Sequence, residues 1–278
     1  MTVTQVSLEG AIDLHVHTAP DVRPRRLDDI ALARAAAAAG MRAVLLKSHH
    51  TLTADRATLV DGLVEGVRVF GGLALNEAVG GLNPAAVEAA LALGAREIWM
   101  PTLSAANHKR ASGIGGGGIG ILDEVGALHP AVFEILSLIA KHDVILGTGH
   151  LSVQEIQHLA PAARAAGVKR IVVTHPELPI INMPIIMQQD LASLDVFFER
   201  CLIVTVLPGS AVPLSAIAAA VRQVGSETTV LATDFGQPEN PSPVEGLQRY
   251  IAGLMELGIG QTDIDRMVRT NPAWLLGL

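Results

Sequence analysis

The most informative stretch for the fold is Ala11-Ile12-Asp13-Leu14-His15-Val16-His17-Thr18, in which apolar residues alternate with polar ones. This alternation predicts a β-strand whose two faces have different surroundings. It places His15 and His17 on one face, two residues apart, and turns the apolar side chains to the other face. Two neutral imidazoles at a strand end are suited to binding a divalent metal, although ordinary half-buried histidines explain the pair equally well. Whether the pair binds a metal depends on whether the rest of the chain supplies further metal ligands.

Composition predicts a large, well-buried core. The chain has 278 residues, half of them hydrophobic, and a mean hydropathy of +0.41. It contains no run of about twenty apolar residues, and its N-terminus lacks a charged start followed by an apolar block. We therefore expect a soluble, cytoplasmic protein with no membrane partner.

The charge balance argues against nucleic acid as a partner, because the net charge is -7 and aromatic residues make up only 3%. The single cysteine, Cys201, excludes an internal disulfide and is expected in the core. Ala-rich helices could pack on their own barrel or against a second copy, so a homo-oligomer stays open.

Eight short β-type segments alternate with helical segments along the chain, a pattern that predicts parallel strands joined by right-handed crossovers. The count of eight, with polar residues at many strand ends, favours an α/β fold of one domain over residues 1–278: a single (β/α)8 TIM barrel with C-terminal helices. The alternative is an open doubly wound sheet, but no Gly-x-Gly-x-x-Gly follows the first strand. The predicted strands are 11–18, 42–50, 67–75, 97–102, 144–150, 170–175, 201–207 and 229–234.

One long irregular stretch, residues 103–129, follows the fourth predicted strand and contains a glycine-rich run at 113–120. Loops of this length in compact domains are usually lids, binding loops or disordered segments. We expect a mobile loop that covers the active site; a plain surface insertion is the alternative.

Polar residues stand at the C-terminal ends of several predicted strands. In a parallel barrel these ends surround one mouth, so residues far apart in sequence converge there. Imidazole and carboxylate ligands suit zinc or a similar divalent ion. The residues are His15, His17, Lys47, His49, His50, His150, His175 and Asp234.

This order of residues resembles the metal-site signature of the amidohydrolase superfamily: His15-x-His17 on strand one, His150 on strand five, His175 on strand six and Asp234 on strand eight. The run Asn271-Pro272-Ala273-Trp274-Leu275-Leu276-Gly277 also resembles the helix that closes many of those barrels. The chain looks most similar to an uncharacterised amidohydrolase-like branch. The resemblance therefore implies a class of mechanism but no particular substrate.

The resemblance implies that His15, His17 and His150 bind the metal, zinc in the first place, with manganese or iron as alternatives. Asp234 would be a ligand or a partner of the bound water, and the general base. His175 would bind a second metal or polarise the substrate. The implied reaction is attack of metal-bound hydroxide on an amide, lactone or ester carbon of a small molecule.

The chain departs from this family at strand four, where two-metal members often carry a carboxylated lysine or a glutamate and this chain has Met100-Pro101-Thr102. Lys47 stands instead at the end of strand two. It could be a bridging carbamate, a cation that holds an anionic substrate group, or part of a structural ion pair. The sequence thus leaves open whether one or two metals bind.

Three further residues are candidates for substrate binding. His49 and His50 point to opposite sides of a strand, so at most one of them reaches the metal, and Arg23 could bind a carboxylate or phosphate. His108, on the long loop, is expected to be unrelated to the metal. The rival functions are a phosphoesterase like the polymerase-and-histidinol-phosphatase barrels, a metal-dependent decarboxylase, and a non-catalytic metal-binding protein.

Overall fold

The computed structural model describes residues 6–209 and 211–278. At its centre lies a sheet of eight parallel strands whose spatial order is their order in sequence. A parallel bridge joins Val16 to Phe235, and the backbone N–H of Asp234 donates to the carbonyl of His15 at 2.8 Å, so the first and last strands meet. The predicted (β/α)8 barrel is confirmed. The strands are β1 (Ile12–Val16), β2 (Ala43–Leu46), β3 (Arg68–Ala74), β4 (Glu97–Trp99), β5 (Ile145–Gly147), β6 (Arg170–Thr174), β7 (Phe197–Cys201) and β8 (Thr229–Ala232).

Helices surround the barrel, and the two at Val153–Ala165 and Pro243–Glu256 begin with capping boxes in which a serine and the glutamate three residues later satisfy each other's backbone N–H groups. Short 3₁₀ turns lie at Glu77–Val79 and Leu202–Thr205, and a π turn at Arg266–Thr270. None of the helices in the described ranges is both long and apolar enough to span a bilayer. The helices are α1 (Asp29–Ala38), α2 (Ala54–Asp61), α3 (Pro84–Ala92), α4 (Ala106–Ala111), α5 (Pro130–His142), α6 (Val153–Ala165), α7 (Ile185–Ala192), α8 (Leu214–Val224), α9 (Pro243–Glu256), α10 (Gln261–Asp265) and α11 (Asn271–Leu276).

Apolar side chains form two layers, one inside the barrel and one between the strands and the helices. The inner layer, which we call the interior cluster, draws at least one buried residue from every strand. Its strand members are Ile12, Leu14, Ala43, Leu45, Phe70, Ala74, Trp99, Ile145, Val172, Phe197 and Val230.

The prediction that the apolar residues of β1 point away from the histidines is wrong for two of them. Ile12 and Leu14 belong to the interior cluster, and only Val16 packs in the outer layer. The pairing of β1 with β2 shifts register between Asp13 and Val16, and this irregularity breaks strict alternation. His15 can therefore face the barrel interior although Leu14 does too.

The seventh strand is also displaced from its prediction. It was expected at 201–207, but β7 occupies Phe197–Cys201 and the predicted segment turns into a 3₁₀ helix. Glu199 and Arg200 of this strand are both completely buried, and each pairs with a residue elsewhere in the chain, His15 and Glu177 respectively.

The C-terminal motif that resembles the amidohydrolase closing helix covers one end of the barrel interior. Ala273, Leu275 and Leu276 of α11 pack against the interior cluster. The Asn271 side chain donates to the carbonyl oxygens of Ser226 at 2.8 Å and Thr229 at 2.6 Å, which ties α11 to the start of β8. This motif stabilises the fold at the end of the barrel opposite the strand tips.

The segment 103–129 is less irregular than the sequence suggested. It contains α4 and two isolated bridges, Ala105 with Ile119 and Leu122 with Leu128. Its mobility stays a prediction.

Candidate metal centre at the barrel mouth

Four of the predicted site residues converge where β1, β6 and β8 end. The Oδ1 atom of Asp234 lies 3.0 Å from Nε2 of His17 and 3.2 Å from Nε2 of His15. Its Oδ2 atom lies 3.8 Å from Nε2 of His175. We call His15, His17, His175 and Asp234 the mouth cluster. Three imidazole nitrogens thus face one carboxylate.

The backbone at two of these residues is in the left-handed region, with φ of 44° at His175 and 54° at Asp234. Residues other than glycine rarely adopt it, and such positions are often found at functional sites. Barrel hydrogen bonds hold both residues in place: the N–H of His175 donates to the carbonyl of Glu199 at 3.0 Å, and that of Asp234 to His15 at 2.8 Å. The fold therefore fixes the direction of both side chains.

Asp234 is ionised in this environment. Burial acts to raise the pKa of its carboxyl, but the charge of His15 and the hydrogen bonds from His15 and His17 outweigh burial and hold the pKa well below its usual range. Its side chain is 14% exposed, whereas those of the three imidazoles are at most 2% exposed. Asp234 is accordingly the member of the mouth cluster most open to a ligand.

The imidazoles respond differently to burial. Burial lowers the pKa of His17 to about 4, and it also lowers the pKa of His150 and His175 well below the ordinary value, so these rings are neutral near pH 7. Burial acts on His15 in the same direction, but the carboxylates of Asp234 and Glu199 outweigh it and raise its pKa to about 9. His15 must therefore give up a proton before its Nε2 can bind a metal.

The mouth cluster fits a divalent ion. The donor atoms of His15, His17 and Asp234 all lie within 4.8 Å of one another. Two imidazole nitrogens and an ionised carboxylate form a donor set that zinc and related ions accept. The predicted ligands His15, His17 and Asp234 are thus close enough to share one ion, with His175 on the far side of the carboxylate.

His150 lies beside the mouth cluster but contacts a different partner. Its ring is 5.3 Å from that of His175 between centroids, while its Nδ1 lies 2.8 Å from Nδ1 of His108. His108 of α4 stacks on His150 at 4.9 Å. His108 therefore contacts a candidate site residue, although the sequence predicts it on a loop and unrelated to the metal. The role of His150 as a ligand stays a prediction.

His49 and His50 point in different directions, as adjacent strand-end residues should. His49 stacks on His17 at 4.8 Å between ring centroids and makes a 2.8 Å hydrogen bond with the hydroxyl of Thr102. His50 is turned away, with Nδ1 3.5 Å from Oδ1 of Asp21. Of the two, only His49 adjoins the mouth cluster.

A cavity of about 400 Å³ opens above Asp234. Arg23 and Arg25 line one wall, and Gln237 and Glu239 are among the residues that line the cavity. Arg25 pairs with Asp21 at 2.8 Å and lies 3.3 Å from Nδ1 of His17. Arg23 is exposed, and its role in substrate binding stays a prediction.

Lys47 reaches the mouth cluster from below. It is completely buried, and its Nζ lies 3.0 Å from Nε2 of His15 and 4.9 Å from the centre of the Trp99 ring. Burial lowers the pKa of its amine, although Asp234, Glu199 and Glu97 act to raise it. The structure thus places Lys47 beside the predicted metal ligands.

Three residues that the sequence interpretation missed lie beneath the mouth cluster. Glu199 Oε2 is 2.8 Å from Nδ1 of His15, and the sulfur of Cys201 is 3.2 Å from Nδ1 of His175. Glu97 is completely buried, and neither of its oxygens has a hydrogen-bond partner among the described residues. Cys201 is buried as expected, but against two imidazoles. Glu97 is the first residue of the predicted fourth strand, where a charged residue gives no sign of burial.

Comparison with solved structures identifies the fold. An amidohydrolase from Pseudomonas aeruginosa is similar with a TM-score of 0.66 and 12% identity, over 99% of this chain and 96% of that chain. The 2,6-dihydroxybenzoate decarboxylase from Rhizobium has a TM-score of 0.62 and 13% identity, over 97% and 99%. An amidohydrolase from Burkholderia multivorans has a TM-score of 0.61 and 13% identity, over 96% and 99%. The resemblance to the amidohydrolase superfamily is confirmed at the level of the fold.

Comparison of the sequence with curated proteins and family models gives one match. No curated protein matches the chain. The model of a family of unknown function, DUF6282, matches residues 10–199, which is more than half of the chain. The protein therefore belongs to the DUF6282 family.

Proposed function

We propose that the protein is a metal-dependent hydrolase that acts on an amide, lactone or ester bond of a small molecule. The observation that supports this best is the contact of one ionised carboxylate, Asp234, with Nε2 of both His15 and His17 at the floor of an open cavity. The barrel places this arrangement at the C-terminal ends of its strands, where enzymes of this architecture carry their active sites.

His15, His17 and Asp234 would hold the metal, and His150 and His175 are the further candidates. A divalent ion there would polarise a substrate carbonyl and make water a stronger acid. The imidazoles contribute neutral nitrogens. Whether zinc, manganese or iron occupies the site, and whether one ion or two, depends on ligands beyond these three.

Asp234 is the proposed general base. Its Oδ1 faces the two β1 imidazoles, whereas Oδ2 is 3.8 Å from His175 and has more freedom to accept a proton. The low pKa makes Asp234 a weak base, so its role depends on an ion at the site, which would make the attacking water acidic enough to lose its proton to the carboxylate. His175 would then orient the substrate carbonyl or hold a second ion.

The remaining predicted residues would bind the substrate. Lys47 carries its amine beside Nε2 of His15, where it could donate to an oxygen that gains negative charge. His49 and Arg23 border the cavity, and Arg23 would hold an anionic group at its entrance. His50 contributes less in this arrangement, because it faces Asp21.

A decarboxylase is the second candidate. It is favoured by Arg23 and Arg25, which line the same cavity as Asp234, and by the similar fold of the Rhizobium decarboxylase. The phosphoesterase alternative has less support. It calls for ligands after β3, where the structure offers Asn76, whose amide is engaged by Thr102 and by the carbonyl of His49.

The test combines metal analysis with a substrate panel. The parent and His15→Ala are purified without added metal, and metal per chain is measured by elemental analysis. Both are then assayed on esters, lactones and N-acyl amides by chromatography of the carboxylic acid product. Aromatic carboxylates are assayed by carbon dioxide release. We expect one or two ions in the parent, loss in the variant, and metal-dependent acid release. Carbon dioxide release alone would favour the decarboxylase, and absence of metal after reconstitution would refute both.

A further inference from the structure

Two side chains of β7 lie directly beneath the mouth cluster and have no part in the reaction outlined above. Glu199 and Cys201 are both completely buried. They are two residues apart on one strand, so they face the same side of the sheet, here the barrel interior. Glu199 contacts Nδ1 of His15, whereas Cys201 contacts Nδ1 of His175 and lies farther, at 3.8 Å, from Nδ1 of His15.

The contact of Glu199 with His15 determines where the ring carries its hydrogen. Oε2 of Glu199 lies 2.8 Å from Nδ1 of His15. This is the shorter of the ring's two carboxylate contacts, and Nε2 also lies 3.0 Å from the Lys47 amine, which is a donor, so the hydrogen belongs to Nδ1 when the ring is neutral. The lone pair is then left on Nε2, the atom that faces Asp234 at 3.2 Å.

The contact of Cys201 with His175 has the same orientation. The sulfur lies 3.2 Å from Nδ1 of His175, and Nε2 of that ring faces Asp234 at 3.8 Å. A thiol sulfur is a weak acceptor, so its hold on the ring is looser than that of a carboxylate. Both rings nevertheless present Nδ1 to β7 and Nε2 to the mouth.

We infer that Glu199 and Cys201 are positioning residues, which hold His15 and His175 with their Nε2 lone pairs directed at the metal position. The inference rests on the proposed metal-dependent function. Partners of this kind raise the basicity of a ligand and fix its tautomer, and their loss typically weakens metal binding 10- to 100-fold.

The alternative is that these residues form a metal site of their own. Donor atoms of His15, His175, Glu199 and Cys201 lie within 4.8 Å of one another, and could themselves surround an ion. That ion would require thiolate ligation by Cys201. It would also take Nδ1 of both rings away from hydrogen bonding.

The experiment measures zinc affinity by competition with a chromophoric chelator. Glu199→Ala removes the acceptor, whereas Glu199→Gln removes the charge but keeps an oxygen that can accept from Nδ1. Glu97→Gln is the matched control, since it replaces another completely buried carboxyl group that has no described hydrogen bond to a histidine. We expect the dissociation constant to rise 10- to 100-fold in Glu199→Ala and much less in the two glutamine variants.

Two spectroscopic readouts accompany the affinities. In the zinc-loaded parent, the Nδ1 proton of His15 should appear as a strongly hydrogen-bonded signal in ¹H–¹⁵N spectra, and it should be lost in Glu199→Ala. In the cobalt-loaded parent, no sulfur-to-cobalt charge-transfer band should appear. If Glu199→Ala fails to fold, Cys201→Ala against Cys201→Ser makes the same comparison at His175, where serine should retain binding better than alanine.

Three results would overturn the inference. Equal weakening in Glu199→Ala, Glu199→Gln and Glu97→Gln would mean that a change at any buried carboxyl group weakens zinc binding, with no specific role for Glu199. Unchanged affinity in Glu199→Ala would mean that it has no role. A cobalt band lost in Cys201→Ser would make Cys201 a ligand. These outcomes differ from failure of the proposed function, which would appear as a zinc-loaded parent without turnover or as a parent that binds no metal.

Discussion

Asp234 Oδ1 lies 3.0 Å from Nε2 of His17, and this contact crosses the seam at which the barrel closes. His17 follows β1, and Asp234 follows β8. Backbone hydrogen bonds join the same two segments on either side of the contact, from Asp234 to His15 and from His17 to Phe235, each 2.8 Å long. The candidate metal centre is therefore built on the join between the first and last strands.

Asp234→Asn should separate metal binding from proton transfer. Asparagine keeps an oxygen near Nε2 of His17 but is not a base, so most of the metal should remain while turnover falls by about 10²- to 10⁴-fold, the usual contribution of a general base. Metal per chain and kcat on the best substrate of the panel are the measurements. Retained turnover would show that Asp234 is not the base.

Metal binding should release one proton near neutral pH. The carboxylate partners outweigh burial and raise the pKa of His15 to about 9, so the metal-free ring carries a proton that must leave, whereas His17, with a pKa of about 4, has none to lose. Apparent affinity should then rise up to about tenfold per pH unit until about pH 9. Calorimetric titration at pH 7.5 in buffers of different ionisation enthalpy gives the proton count.

The raised pKa of His15 also determines how the free energy of unfolding of the metal-free protein changes with pH. A histidine whose pKa is raised on folding stabilises the protein fully below its unfolded value of 6.5, and this contribution is lost as the pH rises through about 9. His15→Gln should lack that decline in the free energy of unfolding. A parent that releases no proton on metal binding would contradict the assignment.

The sequence could predict the barrel and all four residues of the mouth cluster, because both follow from local rules. Alternating helical and apolar segments predict the fold, and strand-end histidines must converge in a closed parallel barrel. Glu199 and Glu97 could not be found this way. Their burial depends on His15 and Lys47 of other strands, and a charged residue inside an apolar run gives no local sign of such partners. The misplaced seventh strand has the same cause.

Lys47→Met should lower kcat by about 10²- to 10³-fold with little loss of metal, if the amine stabilises negative charge on the substrate. The variant keeps the length of a buried side chain that packs beside Trp99. The carbamate alternative predicts a different result: metal uptake by the parent would depend on dissolved bicarbonate, and the variant would lose metal. Metal content after reconstitution with and without bicarbonate decides between them.

Arg200→Ala should destabilise the protein strongly, because Arg200 is the buried outward-facing neighbour of Glu199. Its guanidinium contacts Glu177 and donates to the side-chain oxygen of Gln188 at 2.9 Å. Removing one partner of a buried ion pair leaves the other charge uncompensated, at a cost of about 3–5 kcal/mol in the free energy of unfolding. Lys169→Ala is the control, since its pair with Asp143 is exposed and should contribute about 0–1 kcal/mol. Urea denaturation of both variants makes the comparison, and equal losses would show that β7 does not depend on the Arg200 contacts for its burial.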